Sequence, residues 1–516
     1  MNGAECLLRT LLANDIDLCL MNPGTSEMQF VSALDRVPGM RGILGLFEGV
    51  CAGAADGYAR MAGKPAATLL HLGPGLANAL SNLHNARKAR SPVVNIVGEH
   101  STQHLGYDAP LSADIEAFAR PVSGWVHTVE HAAAMGEAAS KAVAAALGPP
   151  GKVATLIVPA DFSWSEASDP GCPAPRQCRS LPPKERVLDA ARALRSGGAT
   201  ALLLGGTTLQ ERGLRAADRI RAATGVRVFG DRNTARMTRG AGVPAFERIP
   251  YFPEQAHQLL ADVERLISVG AKPPVSFFGY PGVRSLLAPP GCAFETLAAE
   301  QEDGVGTLEW LAEELGAPTK NEAADVPHAT LPVGEPLTPA AIARTAAVLA
   351  PEGTIFSEES VSASGEMWPH LACAARHDHL PVTGGSIGQG LPVAVGAALA
   401  CPGRKVVALE ADGSGMYTLQ SLWTMARERL DVTIVIFANR RYRILDIEMR
   451  RTGAGAIGPR AGEMIDLTNP SANWTRLAEG FGVEATRAET ADEFIREFSA
   501  AMRERGPRLI EASLVS

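Results

Sequence analysis

The chain has no CxxC pair. Its eight cysteines, at positions 6, 19, 51, 172, 178, 292, 373 and 401, approach one another only once, as Cys172 and Cys178 in a proline-rich stretch. Such spacing offers neither a zinc site nor a disulfide framework. Long apolar runs are missing as well: none reaches the length of a membrane span. The opening "MNGAECLLRTLLANDIDLC" carries charges throughout and reads as an amphipathic helix, not a signal peptide. Excess positive charge is also absent. With 48 Lys and Arg against 56 Asp and Glu, the net charge of −8 excludes a nucleic-acid or anionic-membrane footprint, leaving only a local cluster of Arg440, Arg441 and Arg443 to meet an anion. Low-complexity tracts are lacking, since the 52 glycines and 36 prolines are dispersed among apolar runs. What remains is a cytoplasmic, loop-rich α/β enzyme, with no membrane and no nucleic-acid partner.

At 516 residues the chain has room for two to four domains. Two segments rich in Pro, Ser and charge, 163–185 and 316–341, break the rhythm and read as linkers. They divide the chain into blocks 1–163, 186–316 and 340–516. Each block alternates short β-branched runs with alanine-rich helical patterns. Strands are expected at "KPAATLLHL", "SPVVNIVGE" and "KVATLIVPA", then "ATALLLGG", "VRVFG" and "LISVGA", then "GTIFSEE", "KVVALEA" and "DVTIVIFAN". Continuous apolar strands separated by helices predict three doubly wound α/β domains with mainly parallel sheets. Ligands in such sheets bind beyond the carboxyl ends of the strands.

"ALEADGSG" (408–415) ends an apolar strand on Asp412. Taken alone, Asp-Gly there is ordinary turn chemistry. However, 27 residues lead on to Asn439 through a helical stretch, "MYTLQSLWTMARER", and a strand, "DVTIVIFA". One βαβ crossover of that length returns Asp412 and Asn439 to the same edge of two parallel strands. An acid and an amide so placed suit a hard cation bridging phosphate oxygens. Gly413 and Ser414 would open the helix, offering free N–H groups to a phosphate. In the first block, "GLFEGVCAGAADGYARMAG" starts a helix at Glu48 whose inward residues, Cys51, Ala52, Ala55 and Ala59, are small enough for another backbone to approach. Alone, Glu48 would be a first-turn acid complementing the helix dipole.

"ADGSG", an apolar strand and "AN" resemble the thiamine-diphosphate motif, and Glu48 with "ADGYAR" resembles the pyrimidine-domain signature of the same enzymes. The resemblance runs through the chain in the order pyrimidine, central and diphosphate domain. It implies thiamine diphosphate held through Mg2+ by Asp412, Asn439 and the main-chain carbonyl of Arg441. Ala411 and Ala438 replace a Gly and an Asn of the pattern, neither of them a side-chain ligand. Glu48 would hydrogen-bond the aminopyrimidine ring, a role for which burial helps by favouring a neutral, donating carboxyl. In "TGGSIGQGLPVAVGAALA" (383–400), Gly385 matches the carbonyl acceptor for the amino group and Ile387 the apolar support under the bent coenzyme. Ser362, in "EESVSASGEMW", matches a diphosphate contact.

Within that family the motifs most resemble benzoylformate decarboxylase. "MNPGTSEMQFVSAL" (21–34) and "HLGPGLANALSNLHNA" (71–86) align with its segments, so that Thr25 matches a substrate-carboxylate serine, His71 the active-site histidine and Asn78 a nearby polar residue. Two departures stand out. The central stretch "GAKPPVSFFGYPG" (270–282) lacks the family enzyme's second histidine, and Ile444 and Glu448 occupy the aryl-pocket positions. The resemblance implies decarboxylation of a 2-oxo acid to an enamine that is protonated to an aldehyde or ligated to a second carbonyl. An acetolactate-synthase-type carboligase is the alternative; "GPG" at 73–75 resembles that group, but no signature warrants FAD. It also implies a homodimer or homotetramer, with Glu48 meeting a partner's diphosphate domain. Two rivals stand beside it. A flavin or nicotinamide oxidoreductase would use "LLLGGTTLQERG" in the central block. A non-catalytic paralogue would not need Glu48, Asp412 and Asn439 together. "GAGAIG" (453–458) is a literal GxGxxG without the strand before or helix after it that dinucleotide binding requires, and reads as a mobile loop.

Overall fold

A computed structural model describes residues 1–175, 177–319 and 328–514. Part of the second expected linker, 320–327, lies outside the described residues. Three sheets form. The first, wholly parallel, has strands Arg41–Leu44, Leu18–Asn22, Ala66–Leu70, Val93–Glu99, Val153–Pro159 and Trp125–Thr128 in spatial order. The second, also parallel, runs Glu247–Arg248, Arg227–Gly230, Thr200–Leu204, Arg265–Val269 and Ala293–Ala298. The third runs Glu484–Ala488, Arg508–Ser513, Val432–Ala438, Val406–Ala411, Ile355–Glu359 and His377–Pro381, all parallel. All nine expected strands are present. They are buried on both faces, and so mostly apolar, because helices cover both.

One pairing adds to the expected sheets, and two local expectations need correction. Met237–Arg239, from the central block, adds an antiparallel edge strand to the third sheet against His377–His379, a long-range pairing that local pattern does not encode. The opening helix stops at Ala13, and Cys19 lies in a strand; the periodicity of 1–19 blended two elements. The helix expected directly after Asp412 is one turn, Asp412–Gly415, and the longer helix begins only at Ser421. Between them Thr418 turns inward and donates its hydroxyl hydrogen to the Gly388 carbonyl, 3.1 Å.

The small-residue face of the Glu48–Ala62 helix does admit another backbone. Its neighbour is the Gly390–Ala400 helix of the same chain: a Cβ on Gly396 would lie 1.9 Å from the Ala54 carbonyl oxygen, and one on Gly57 2.2 Å from that of Val393. These helices form part of one apolar core shared by the first and third sheets, including Ala52, Ala55, Leu391 and Val395. Asp56 and Arg60, both with side chains 0% exposed, pair within this contact at 2.6 Å. Gln389 Nε2 donates to Asp56 at 2.8 Å, and Arg60 Nη1 to the Pro381 carbonyl at 3.0 Å. Such a pair is tolerated in the interior because its hydrogen-bonding capacity is met on all sides.

Candidate active site

At the carboxyl edge of the first sheet the chain leaves strand Ala66–Leu70 and turns at His71, with Leu72 in the left-handed region at φ +49°. The His71 ring sits against Gly24, where any Cβ would come within 2.3 Å of it. His71 Nδ1 lies 2.8 Å from Glu27 Oε2, which also accepts the Gly24 N–H at 2.8 Å. With Glu27 ionised, Nδ1 must carry the hydrogen, leaving Nε2 as the acceptor of the partly exposed ring. Burial pushes the Glu27 carboxyl above its ordinary range, against the pull of the Gly24 N–H and His71. Thr25 is exposed on the adjoining turn. Glu48 is buried, and its Oε2 accepts from Asn78 Nδ2 at 2.9 Å. Asn82 Nδ2 bridges this corner to the third block, donating to the Gly49 and Gly388 carbonyls at 3.0 and 3.2 Å.

At the carboxyl edge of the third sheet, Ala411 stands opposite Phe437, so Asp412 and Asn439 leave neighbouring strands together. Asp412 Oδ1 accepts from the Gly413 N–H at 2.8 Å and Oδ2 from the Arg440 N–H at 2.6 Å. Burial raises the Asp412 carboxyl to about 6, the backbone donors opposing it only in part. The Asn439 amide oxygen accepts from Arg441 N–H at 2.9 Å, and the Arg441 carbonyl from Arg443 N–H at 2.8 Å. Ser414 is buried beside them. Gly385, at φ +80°, has its Cβ position 2.3 Å from the Phe277 ring, so only glycine admits that contact. Ile387 is half-buried two residues on, and Ser362 is half-buried on the turn Val361–Ala363.

A divalent cation with a diphosphate fits this second corner. Asp412, Asn439 and the Arg441 carbonyl present oxygen donors only, each keeping a lone pair beyond its one or two backbone hydrogen bonds, which is the chemistry magnesium takes. Among the described residues Asp412 has no ion pair, and a cation would offset the burial that raises it. The short turn Asp412–Gly415 supplies the backbone N–H of Ser414 and Gly415 rather than the end of a long helix.

Several features here were not singled out in the sequence. Glu27 lies in the quoted 21–34 segment and accepts the Gly24 N–H as the glutamate of a capping box does, but Gly24 has no side chain to complete the box, so no capping motif marks it in the sequence. Left-handed Leu72, Val361 and Arg440, at φ +49°, +50° and +54°, each adjoin an expected site residue, His71, Ser362 or Asn439. Each costs about 1–2 kcal/mol, strain of the kind that gathers at functional sites. Where a second histidine is lacking, Phe277 and Tyr280 stand with Tyr251. The Tyr251 and Phe277 rings pack at 5.3 Å, and Tyr251 Oη donates to Glu448 Oε1 at 3.4 Å. Ile444 and Glu448 share one face of the Arg443–Arg451 helix, four residues apart. "GAGAIG" adopts neither strand nor helix.

The description "Thiamine pyrophosphate enzyme, N-terminal TPP binding domain" matches residues 1–149, and the corresponding C-terminal TPP binding domain matches 363–512. A Mycobacterium tuberculosis protein provisionally named acetolactate synthase large subunit IlvX is 48% identical over 100% of this chain and 99% of its own length. Benzoylformate decarboxylase of Pseudomonas aeruginosa is 30% identical over 95% of this chain and 94% of its own. The solved structure of a thiamine diphosphate-dependent 4-hydroxybenzoylformate decarboxylase from Rhodococcus jostii RHA1 superposes with a TM-score of 0.87 at 26% identity, covering 100% of this chain and 99% of that one.

Proposed function

Since this chain belongs to the thiamine pyrophosphate enzymes, of the acetolactate synthase and benzoylformate decarboxylase kind, we propose that it decarboxylates a 2-oxo acid with Mg2+ as the second cofactor. The observation that carries this reading is the buried Asp412 carboxyl, tied to the backbone beside Asn439 at the edge where two parallel strands end.

Bound thiamine diphosphate supplies a nucleophilic carbon and a sink for the electron pair released with carbon dioxide. Asp412, Asn439 and the Arg441 carbonyl would hold the Mg2+, and Ser362, Gly413 and Ser414 the diphosphate. Glu48 would hydrogen-bond the aminopyrimidine ring, the Gly385 carbonyl would accept from its amino group, and Ile387 would give the coenzyme apolar support. Thr25 and Asn78 orient the substrate around its carboxylate. His71, held by Glu27, delivers a proton from Nε2 to the product carbon or takes one from its hydroxyl.

A homodimer, or a tetramer of such dimers, completes the site by bringing a partner's third sheet to Glu48. Support comes from large apolar side chains left exposed, Tyr107 at 77% and Met464 at 74% among them. Among the described residues no helix is long and apolar enough to cross a membrane. A second reading, carboligation of two 2-oxo acids, is favoured by the relative named for acetolactate synthesis.

The test is to supply purified protein with thiamine diphosphate, Mg2+ and either pyruvate or benzoylformate, following carbon dioxide and products. Aldehyde release supports the first reading and 2-hydroxy-2-methyl-3-oxobutanoate the second. Failure to release carbon dioxide from any 2-oxo acid overturns both. An active monomer on gel filtration contradicts the assembly.

A further inference from the structure

The loop 383–389 leads from the strand His377–Pro381 to the helix Gly390–Ala400 and carries Gly385 and Ile387. Both of its ends are tied down. The Thr383 N–H donates to Gln389 Oε1 at 3.1 Å, and the Gly388 and Gln389 N–H groups donate to Glu359 at 2.9 and 2.8 Å. Its middle is held from one helix, Leu72–Ala89. His84 Nε2 donates to the Gly384 carbonyl at 3.1 Å. Asn85, 0% exposed, grips Ser386 at two points: Nδ2 donates to the Ser386 carbonyl at 2.8 Å, and Oδ1 accepts from the Ser386 N–H at 3.3 Å. Among the described residues no other group bonds the Ser386 backbone. The approach is close enough to require a glycine before it, since a Cβ on Gly384 would lie 2.3 Å from Asn85 Oδ1.

These two bonds fix two peptide planes. The Ser386 N–H belongs to the same planar unit as the Gly385 carbonyl, and in a trans peptide the two point in opposite directions. With the N–H aimed at Asn85, the Gly385 carbonyl must face away from the helix Leu72–Ala89. Among the described residues nothing donates to it. The Ser386 carbonyl lies in the next plane, which leads into Ile387. Gly385, at φ +80°, has the freedom to turn its plane elsewhere, so the orientation needs an outside holder. Resting on the reading that the Gly385 carbonyl and Ile387 meet thiamine diphosphate, we propose that Asn85 is a positioning residue for the coenzyme. It aims that carbonyl at the coenzyme's amino group and seats Ile387, while its own side chain stays buried behind the loop. A merely structural contact would show in stability alone; a positioning contact shows in how the bound coenzyme reacts.

The test compares the full-length wild type with Asn85→Ala and Asn85→Asp. Amide hydrogen exchange of the coenzyme-free protein reads the loop: the peptide covering 383–389 should exchange about tenfold faster in Asn85→Ala, the worth of one or two lost neutral hydrogen bonds. Thiamine diphosphate and Mg2+ are then added. Fluorescence titration should give a coenzyme Kd within about threefold of the wild type, since the diphosphate corner is untouched, while exchange of the coenzyme's C2 hydrogen, read by NMR after acid quench, should slow about tenfold to a hundredfold. Asn85→Asp supplies the rescue. Its carboxyl has the shape of the amide but both donates and accepts only when protonated. Its C2 exchange, taken as a ratio to the wild type at each pH, should therefore recover as pH falls, and that of Asn85→Ala should not. Unchanged loop exchange in Asn85→Ala, or a loosened loop with C2 exchange at the wild-type rate, overturns the proposal. So does an Asn85→Asp ratio flat with pH, which decides alone if Asn85→Ala does not fold. A wild type that fails to speed C2 exchange over the free coenzyme sinks the reading of the cofactor site itself, and the proposal with it.

Discussion

Replacing Glu27 by Gln keeps an oxygen that can accept from the Gly24 N–H and from His71 Nδ1, both at 2.8 Å in the wild type, but removes the negative charge. A hydrogen bond to a charged group contributes about 1.5–3 kcal/mol and a neutral one about 0.5–1.5. The loss is therefore about 1–1.5 kcal/mol in whichever state leaves His71 most positive, or about tenfold in kcat if proton transfer through His71 limits turnover. The assay is steady-state decarboxylation by the wild type, Glu27→Gln, His71→Ala and the double variant. Because Glu27 touches the reaction only through His71, the expected double variant is no slower than His71→Ala alone. The pH dependence carries a second signature. Burial raises the Glu27 carboxyl, so the wild-type kcat should fall with acid at a pH above the ordinary carboxylate range, and Glu27→Gln should lack that fall. Additive losses in the double variant, or an unchanged acid limb in Glu27→Gln, refute the positioning role.

Gly396→Ala would ordinarily help a helix, yet its Cβ would meet the Ala54 carbonyl at 1.9 Å; equilibrium denaturation should show a loss of about 1–3 kcal/mol. Asp412→Ala, or removal of Mg2+ by chelation, should weaken thiamine diphosphate binding at least about tenfold to a hundredfold by tryptophan fluorescence titration; undiminished binding argues against the cation corner. Glu48→Gln should bind the coenzyme but lose most turnover, and full turnover would remove Glu48 from the chemistry. Burial lowers His377 from 6.5 to about 3. The unfolded chain therefore takes up this proton first, so stability present above pH 6.5 is lost as pH falls toward 3, by roughly 3–5 kcal/mol. His377→Gln should flatten that slope in denaturation experiments between pH 7 and 5.

Local pattern was enough for the parallel strands, because a strand buried on both faces is mostly apolar, and "KVVALEA" and "DVTIVIFAN" are, with only Glu410 and Thr433 as buried polar residues of their strands. It was enough also to bring Asp412 beside Asn439, since one crossover between adjacent parallel strands leaves no other edge for them. Tertiary structure decided the rest. The Glu27–His71 bond joins residues 44 apart in sequence. The strand Met237–Arg239 found its partner in another block. Tyr251 met Phe277 and Glu448 only when central-block loops folded against the Arg443–Arg451 helix. Periodicity reports which face of an element is buried; it carries no record of which distant side chain covers that face, because that is fixed by packing across the whole molecule.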